Sequence, residues 1–110
     1  MDCEYRRKYT DMAARDLENA VRYISEELGN PDAARRVMAE IRKCTANLCA
    51  FPSSGAAVSG IYRSDMVVRK KIVGNYVLFY GVDKTKKIIW MLRIVYGARN
   101  MDEIFKTLNS

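Results

Sequence analysis

The sequence contains no histidine among its 110 residues. Histidine is a common metal ligand and the usual proton carrier near neutral pH. Acid–base chemistry would therefore rely on lysine, arginine, tyrosine or the carboxylates, and we expect no metal and no cofactor. The three cysteines are odd in number and lack a CxxC spacing, so we predict reduced thiols at Cys3, Cys44 and Cys49.

Long apolar runs are also missing. The longest, from Ile88 to Leu92, is far shorter than the roughly 20 residues that a membrane helix requires. The first residues carry acidic side chains and no apolar core, unlike a secretory signal. We therefore expect a cytoplasmic protein that does not bind membranes and that forms a single domain over residues 1–110.

The positive charge is concentrated in one half of the chain. Residues 1–59 contain nine basic and nine acidic residues, whereas residues 60–110 contain ten and four, which accounts for the net charge of +6. Clustered positive charge attracts polyanions, and nucleic acids bind such surfaces by releasing counterions. We expect the second half to face a polyanion, although excess lysine can also serve solubility alone.

Two helices are predicted in the first half. Apolar residues recur with helical spacing over residues 10–28 and again over residues 31–51. Gly29 suits the end of the first helix, while Asn30 and Pro31 suit the cap and first position of the second. This short connection predicts an antiparallel helical hairpin.

The second half is rich in β-branched and aromatic residues, which favour strands. A short first strand is predicted at residues 4–9, a loop rich in Ser, Gly and Ala at 53–60, and three further strands at 66–73, 76–82 and 87–96. A final helical pattern contains Met101, Ile104, Phe105 and Leu108. The predicted fold is α+β: an N-terminal strand, a two-helix antiparallel hairpin, an antiparallel β-meander and a short C-terminal helix.

Strand alternation predicts one sheet face against the helices and the other open for binding. Lys70 lies on the side opposite Arg69 and Lys71. In the strand at 87–96 the even-numbered residues are apolar and expected to be core, which leaves Arg93 among apolar residues on the other face. An unpaired charge is costly there, so Arg93 either forms a buried ion pair or binds an anion on the open face.

Several strings of residues, in their order and spacing, resemble the RelE/ParE toxin superfamily. The resemblance covers nearly the whole chain. The strings are Tyr23-Ile24, Leu28-Gly29-Asn30-Pro31, Ala33-Ala34, Phe51-Pro52 with Gly55, Val73-Gly74-Asn75-Tyr76, Phe79-Tyr80, Val82-Asp83, and Arg93-Ile94-Val95-Tyr96-Gly97-Ala98-Arg99-Asn100.

The resemblance implies a β-meander on a helical hairpin, a cognate acidic antitoxin that wraps the toxin, and one of two toxic activities. RelE-like members cleave mRNA on the ribosome, whereas ParE-like members poison DNA gyrase. Cleavage by attack of a 2′-hydroxyl needs a base, a cation that stabilises the phosphorane and an acid for the leaving oxygen. Without histidine, a lysine would be the base and arginine the stabiliser.

The resemblance assigns these roles only in part. Lys70 matches a basic residue of the family and Arg99 matches the arginine after the last strand, so the predicted catalytic residues are Lys70, Arg99 and, as a further cation, Arg93. Ribonuclease members carry an arginine after the turn tyrosine and a tyrosine near the C-terminus, where this chain has Val77 and Phe105.

Other side chains have two interpretations each. Tyr76, Tyr80 and Tyr96 either substitute for the missing groups or belong to the core of the meander. The predicted nucleic-acid contacts are Arg63, Arg69 and Lys71, for which the alternative is a solvated surface.

The sequence therefore favours the toxin of a type II toxin–antitoxin module, with ribosome-dependent mRNA cleavage ahead of gyrase inhibition. A third hypothesis is a basic binding module without catalytic activity that acts only with its antitoxin.

Overall fold

The computed structural model describes residues 5–63 and 66–97, except for the side chains of 59–63. The predicted C-terminal helix lies outside these residues. Within them, no helix is both long and apolar enough to cross a bilayer.

Two helices lie where the sequence predicted them. Helix α1 (Asp11–Arg22) begins at Thr10, whose hydroxyl accepts a hydrogen bond from the Ala13 N–H, and continues through a π-helical turn at Tyr23–Glu27. Gly29 then adopts a left-handed φ of 60°, which suits a residue without a side chain. Helix α2 (Pro31–Ala50) begins at Asn30, which accepts a hydrogen bond from the Ala33 N–H, so both starts follow the predicted capping chemistry.

Within the described residues the sheet has five strands, which are β1 (Arg6–Tyr9), β2 (Ala56–Arg63), β3 (Met66–Val73), β4 (Tyr76–Asp83) and β5 (Ile88–Tyr96). They lie in the order β1-β5-β4-β3-β2. Neighbouring strands are antiparallel except β1, which is parallel to β5. The sheet is therefore mixed, and the meander has four strands rather than three.

The predicted loop at residues 53–60 was wrong over most of its length, because β2 begins at Ala56. Its alanine, serine and glycine residues have little intrinsic preference for strands, so the composition gave no strand signal. Pairing with β3 stabilises β2, and this contact is invisible in a local window of sequence.

The predicted faces of β5 were also wrong: the even-numbered residues were expected to be core, yet Ile89 and Met91 pack against the helices and Leu92 lies on the opposite face. In the register between β4 and β5, Tyr80 lies opposite Met91 and Phe79 lies opposite Arg93, so Leu92 is an extra residue in β5. Such a bulge shifts the alternation of every later side chain. Ile94 therefore joins the face toward the helices, where strict alternation had placed Val95 beside Met91.

Apolar clusters occur on both sheet faces. One contains Ala13, Ile41 and Leu48 of the helices with Leu78, Tyr80, Ile89, Met91 and Ile94 of the sheet. The second, on the face away from the helices, contains Val68, Phe79, Leu92 and Val95, all at most 3% exposed. The expectation that this outer face is open for binding is corrected accordingly: its centre is apolar and buried, while Lys70 and Ile72 remain exposed on it.

Candidate functional site

Lys70 lies on the outer face of the sheet in a row that crosses three strands. The register places Lys70 of β3 opposite Phe79 of β4, and Phe79 opposite Arg93 of β5. Two strand spacings separate the Cα atoms of Lys70 and Arg93 by about 10 Å. The fold thus brings two of the predicted catalytic residues into one row, on β3 and β5, with the buried Phe79 of β4 between them.

Arg93 is committed to an ion pair with Asp16. Its Nε and Nη2 lie 2.7 Å and 3.1 Å from the two carboxylate oxygens, and the residue is 8% exposed. Of the two interpretations of Arg93, the buried ion pair is the one that forms. The cost of burying this charge among apolar residues is offset by a bidentate partner.

Asp16 reaches Arg93 because β1 is short. β1 ends at Tyr9 opposite Met91, so in the described part of the chain no strand pairs with the backbone of β5 beyond that point on this side. The Thr10 hydroxyl donates to the Leu92 carbonyl at 3.1 Å, and Asp16 accepts from the Ile94 N–H at 2.9 Å. Thr10 and Asp16 therefore supply hydrogen-bond partners to β5 beyond the end of β1.

Arg69 and Lys71 lie on the other face of the sheet, beside the connection between α2 and β2. Arg69 Nη1 donates to the Gly55 carbonyl at 2.9 Å, and Lys71 Nζ donates to the Ser54 hydroxyl at 3.1 Å. Neither residue shares a face with Lys70, because their side chains alternate along β3. Among the predicted cations whose side chains are described, Lys70 is therefore separated from Arg69 and Lys71.

Tyr80 fixes the same connection from within the core. Its hydroxyl donates to the Pro52 carbonyl and accepts from the Gly55 N–H, both at 2.9 Å. Burial raises the pKa of the Tyr80 phenol, and the Gly55 hydrogen bond and the charge of Arg69 offset part of that rise. Tyr80 is thus a residue of the core, which was one of the two interpretations of its role.

For two other predicted site residues, no side-chain position is described. Arg63 ends β2 opposite Met66, and its side chain is not described. Arg99 lies outside the described residues. In the described part of the chain, no three residues of the types His, Cys, Asp and Glu are grouped so that they could hold a metal ion.

A groove of about 840 Å³, which the sequence did not predict, lies between the helices and the ends of β4 and β5. The π-helical turn contributes Tyr23 to its wall, the connection to α2 contributes Leu28, and β5 contributes Tyr96. All three are large apolar side chains that are about half exposed. No single stretch of sequence indicates this groove, because residues from three separate elements form it.

The mixed sheet with two helices places the chain in a known class of fold, that of the RelE and ParE toxins. It is similar to the structure of a chromosomal ParDE system from P. aeruginosa, with a TM-score of 0.65 and 22% identity over 86% of this chain and 98% of that one. The archaeal RelE–RelB complex from Pyrococcus horikoshii OT3 gives a TM-score of 0.56 and 20% identity, over 88% and 99%. The RelBE2 complex from Mycobacterium tuberculosis gives 0.55 and 20%, over 84% and 98%.

Family membership follows from the sequence itself. Residues 7–101 match the family described as the ParE toxin of type II toxin–antitoxin systems, parDE. The chain therefore belongs to the ParE toxin family, within the RelE/ParE superfamily, and the resemblance noted in the sequence is confirmed. No curated protein sequence matches the chain.

Proposed function

We propose that this toxin arrests growth by binding DNA gyrase, as ParE-like members do, rather than by cutting mRNA. The observation that carries the proposal is the pairing of Arg93 with Asp16. An arginine held by a carboxylate is a poor stabiliser for a developing phosphorane, because its charge and two of its donors are already used.

The remaining outer-face residues support the same choice. Val77 occupies the position at which ribonuclease members carry an arginine, and it packs against the apolar cluster of the outer face. Within the described residues, the row across the sheet therefore offers Lys70 as its exposed cation, without a second cation or an acid beside it. Membership in the ParE toxin family favours gyrase on independent grounds.

A ribosome-dependent nuclease is the second candidate function. It is favoured by Lys70, which is exposed at the centre of β3 and matches a basic residue of the family. In this case Lys70 and Arg99 would share the chemistry, and mRNA on the ribosome would be the target. Either target implies that the protein acts in the cytoplasm.

The ParDE and RelBE structures contain toxins together with antitoxins, and we propose that this chain likewise binds a cognate acidic antitoxin. The groove beside Tyr23, Leu28 and Tyr96 suits the apolar side of an amphipathic segment. A partner with acidic residues on its other side would complement the net charge of +6 and associate rapidly.

Induced expression without an antitoxin separates the candidate functions. We expect growth arrest, inhibition of supercoiling when purified toxin is added to gyrase, and no new mRNA ends at ribosomes. Lys70→Ala tests the alternative, with Lys43→Ala as the matched control because Lys43 is an exposed lysine on α2.

Ribosome-associated mRNA cuts that Lys70→Ala abolishes and Lys43→Ala leaves unchanged would overturn the gyrase proposal in favour of the nuclease. Normal growth under induction would overturn both and favour a binding module without toxicity.

A further inference from the structure

A second pocket, of about 560 Å³, lies between the α2–β2 connection, β3 and the turn that joins β4 to β5. Three basic side chains line it, Arg69 from β3 and Lys84 and Lys86 from the turn. Two hydroxyl groups also line it, those of Ser53 and Thr85. Residues from three elements thus surround a polar concavity.

The pocket has an excess of positive charge. Among the described residues that line it, Asp83 is the one acid, and its Oδ1 already accepts a hydrogen bond from the Lys86 backbone N–H at 2.9 Å. No ion pair joins Arg69, Lys84 or Lys86 to any carboxylate within the described chain. Three cations therefore face one partly satisfied carboxylate.

Arg69 is held in position before any ligand arrives. It is partly buried, and its hydrogen bond to the Gly55 carbonyl uses Nη1, so the guanidinium cannot swing freely into solvent. Gly55 is fixed in turn by Tyr80. A planar guanidinium with a fixed orientation suits the oxygens of a phosphate, and partial burial reduces screening by salt.

We propose that this pocket binds a phosphodiester group of a nucleic acid. Arg69 provides the oriented contact, Lys84 and Lys86 provide flexible charge, and the two hydroxyl groups donate to phosphate oxygens. Lys71 extends the site, because it lies two residues along β3 from Arg69 on the same face, at a spacing of about 6.6 Å. A row of cations along a strand suits an extended polyanion better than a single carboxylate.

The site is separate from the row of Lys70, Phe79 and Arg93, because Arg69 and Lys71 lie on the opposite sheet face. The inference goes beyond the proposed function, since a nucleic acid held here would accompany either target. The chemistry is common to DNA and RNA, and the experiment distinguishes them.

The test uses the full chain made by cell-free synthesis, because its expression is expected to stop growth. Binding to one labelled sequence is measured as single-stranded DNA, duplex DNA and RNA over a range of salt concentrations. The variant K84Q/K86Q removes two charges from an exposed turn, and R36Q/K43Q removes two from exposed positions of α2 as the matched control.

We expect K84Q/K86Q to bind at least one of the three nucleic acids more weakly than the control variant does. Its log–log salt slope should be shallower by about 0.7–0.9 for each phosphate that the variant no longer neutralises. The arm that responds identifies the nucleic acid.

Equal affinity and slope for the two variants would overturn the proposal. So would tight binding of polyglutamate that the oligonucleotides fail to displace, which would assign the pocket to an acidic protein. Nucleic-acid binding and gyrase inhibition are measured in separate assays. A failure of this inference is therefore distinguishable from a failure of the proposed function.

Discussion

Asp16 joins the first helix to the last strand through three hydrogen bonds. Its oxygens accept from Nε and Nη2 of Arg93 and from the backbone of Ile94. Both side chains of the pair are largely buried. Removal of one member of such a pair leaves an uncompensated charge in the interior, which costs far more than breaking an ion pair on the surface.

We expect Asp16→Ala to lower the free energy of unfolding by about 3–5 kcal/mol, because the buried guanidinium of Arg93 would lose both of its hydrogen bonds to the carboxylate. Urea denaturation followed by circular dichroism measures the change. Glu18→Ala is the matched control on the same helix, since it breaks the exposed pair with Arg22, and it should cost at most about 0.5 kcal/mol. A similar small loss in both variants would show that the Arg93 pair adds little.

The sequence indicated that Arg93 required a partner, yet not which one. Its apolar neighbours on β5 made an unpaired charge costly, and the ion pair was one of two interpretations. Asp11, Asp16 and Glu18 all lie in α1, and helical periodicity gives none of them a preference for the sheet. The choice depends on where β1 ends, which is a property of the folded sheet.

At the scale of elements, the buried phenol of Tyr80 holds the connection from α2 to β2 from within the core. Tyr80 bonds both the Pro52 carbonyl and the Gly55 N–H, and a side chain at position 55 would meet the Tyr80 hydroxyl and the Lys70 carbonyl at 2.6 Å. Glycine is therefore required there, because the connection packs directly against β3 and the Tyr80 hydroxyl.

Tyr80→Phe should lower the free energy of unfolding by about 1–3 kcal/mol near pH 8, because two buried backbone groups lose their partner. Burial raises the Tyr80 pKa in the folded state, so the unfolded chain loses this proton first as the pH rises. The stabilisation is therefore complete below the ordinary tyrosine pKa of about 10 and is lost above it.

Urea titrations at about pH 8 and about pH 10.5 measure the effect. The difference in free energy of unfolding between wild type and Tyr80→Phe should be smaller at the higher pH. Tyr23→Phe, at an exposed position, should be as stable as wild type at both pH values. A difference that is constant with pH would contradict the assignment.

Local chemistry predicted some elements and not others. Asn30, Pro31 and Gly29 mark the helix ends because capping and left-handed backbone depend on the residue itself. β2 and the bulge at Leu92 depend instead on pairing with β3 and β4, and neither leaves a mark in local composition or alternation. Alternation alone predicted that Lys70 and Arg69 lie on opposite faces of the sheet. The pocket around Arg69 was not predictable in this way, because it forms where the β4–β5 turn approaches the α2–β2 connection.

For the whole molecule, apolar and basic surfaces occupy different places. The groove contains Tyr23, Leu28 and Tyr96, and its described lining includes Asp16 but no lysine or arginine. The basic pocket contains Arg69 and Lys84. The proposed antitoxin site and the proposed nucleic-acid site are therefore separable by mutation.

We expect Tyr23→Ser together with Leu28→Ser to weaken binding of the antitoxin by roughly tenfold or more, since full burial of a large apolar side chain contributes about 1.5–3 kcal/mol. Isothermal titration with the cognate antitoxin measures the loss. Growth arrest in the absence of antitoxin should persist.

Phe51→Ser is the matched control, because Phe51 is equally exposed and lies outside the groove lining. If it weakens the complex as much as the groove variant does, the groove is not where the antitoxin binds.

The parallel pairing of β1 with β5 has a consequence for the order of synthesis. Arg6 lies opposite Ile88, and Asp16 meets Arg93 across 77 residues of chain. At roughly 5–20 residues per second, several seconds separate the appearance of these partners from the ribosome. A truncated message that ends before β5 encodes a polypeptide in which β1 lacks the strand it pairs with. Such a fragment cannot form the sheet of the complete toxin.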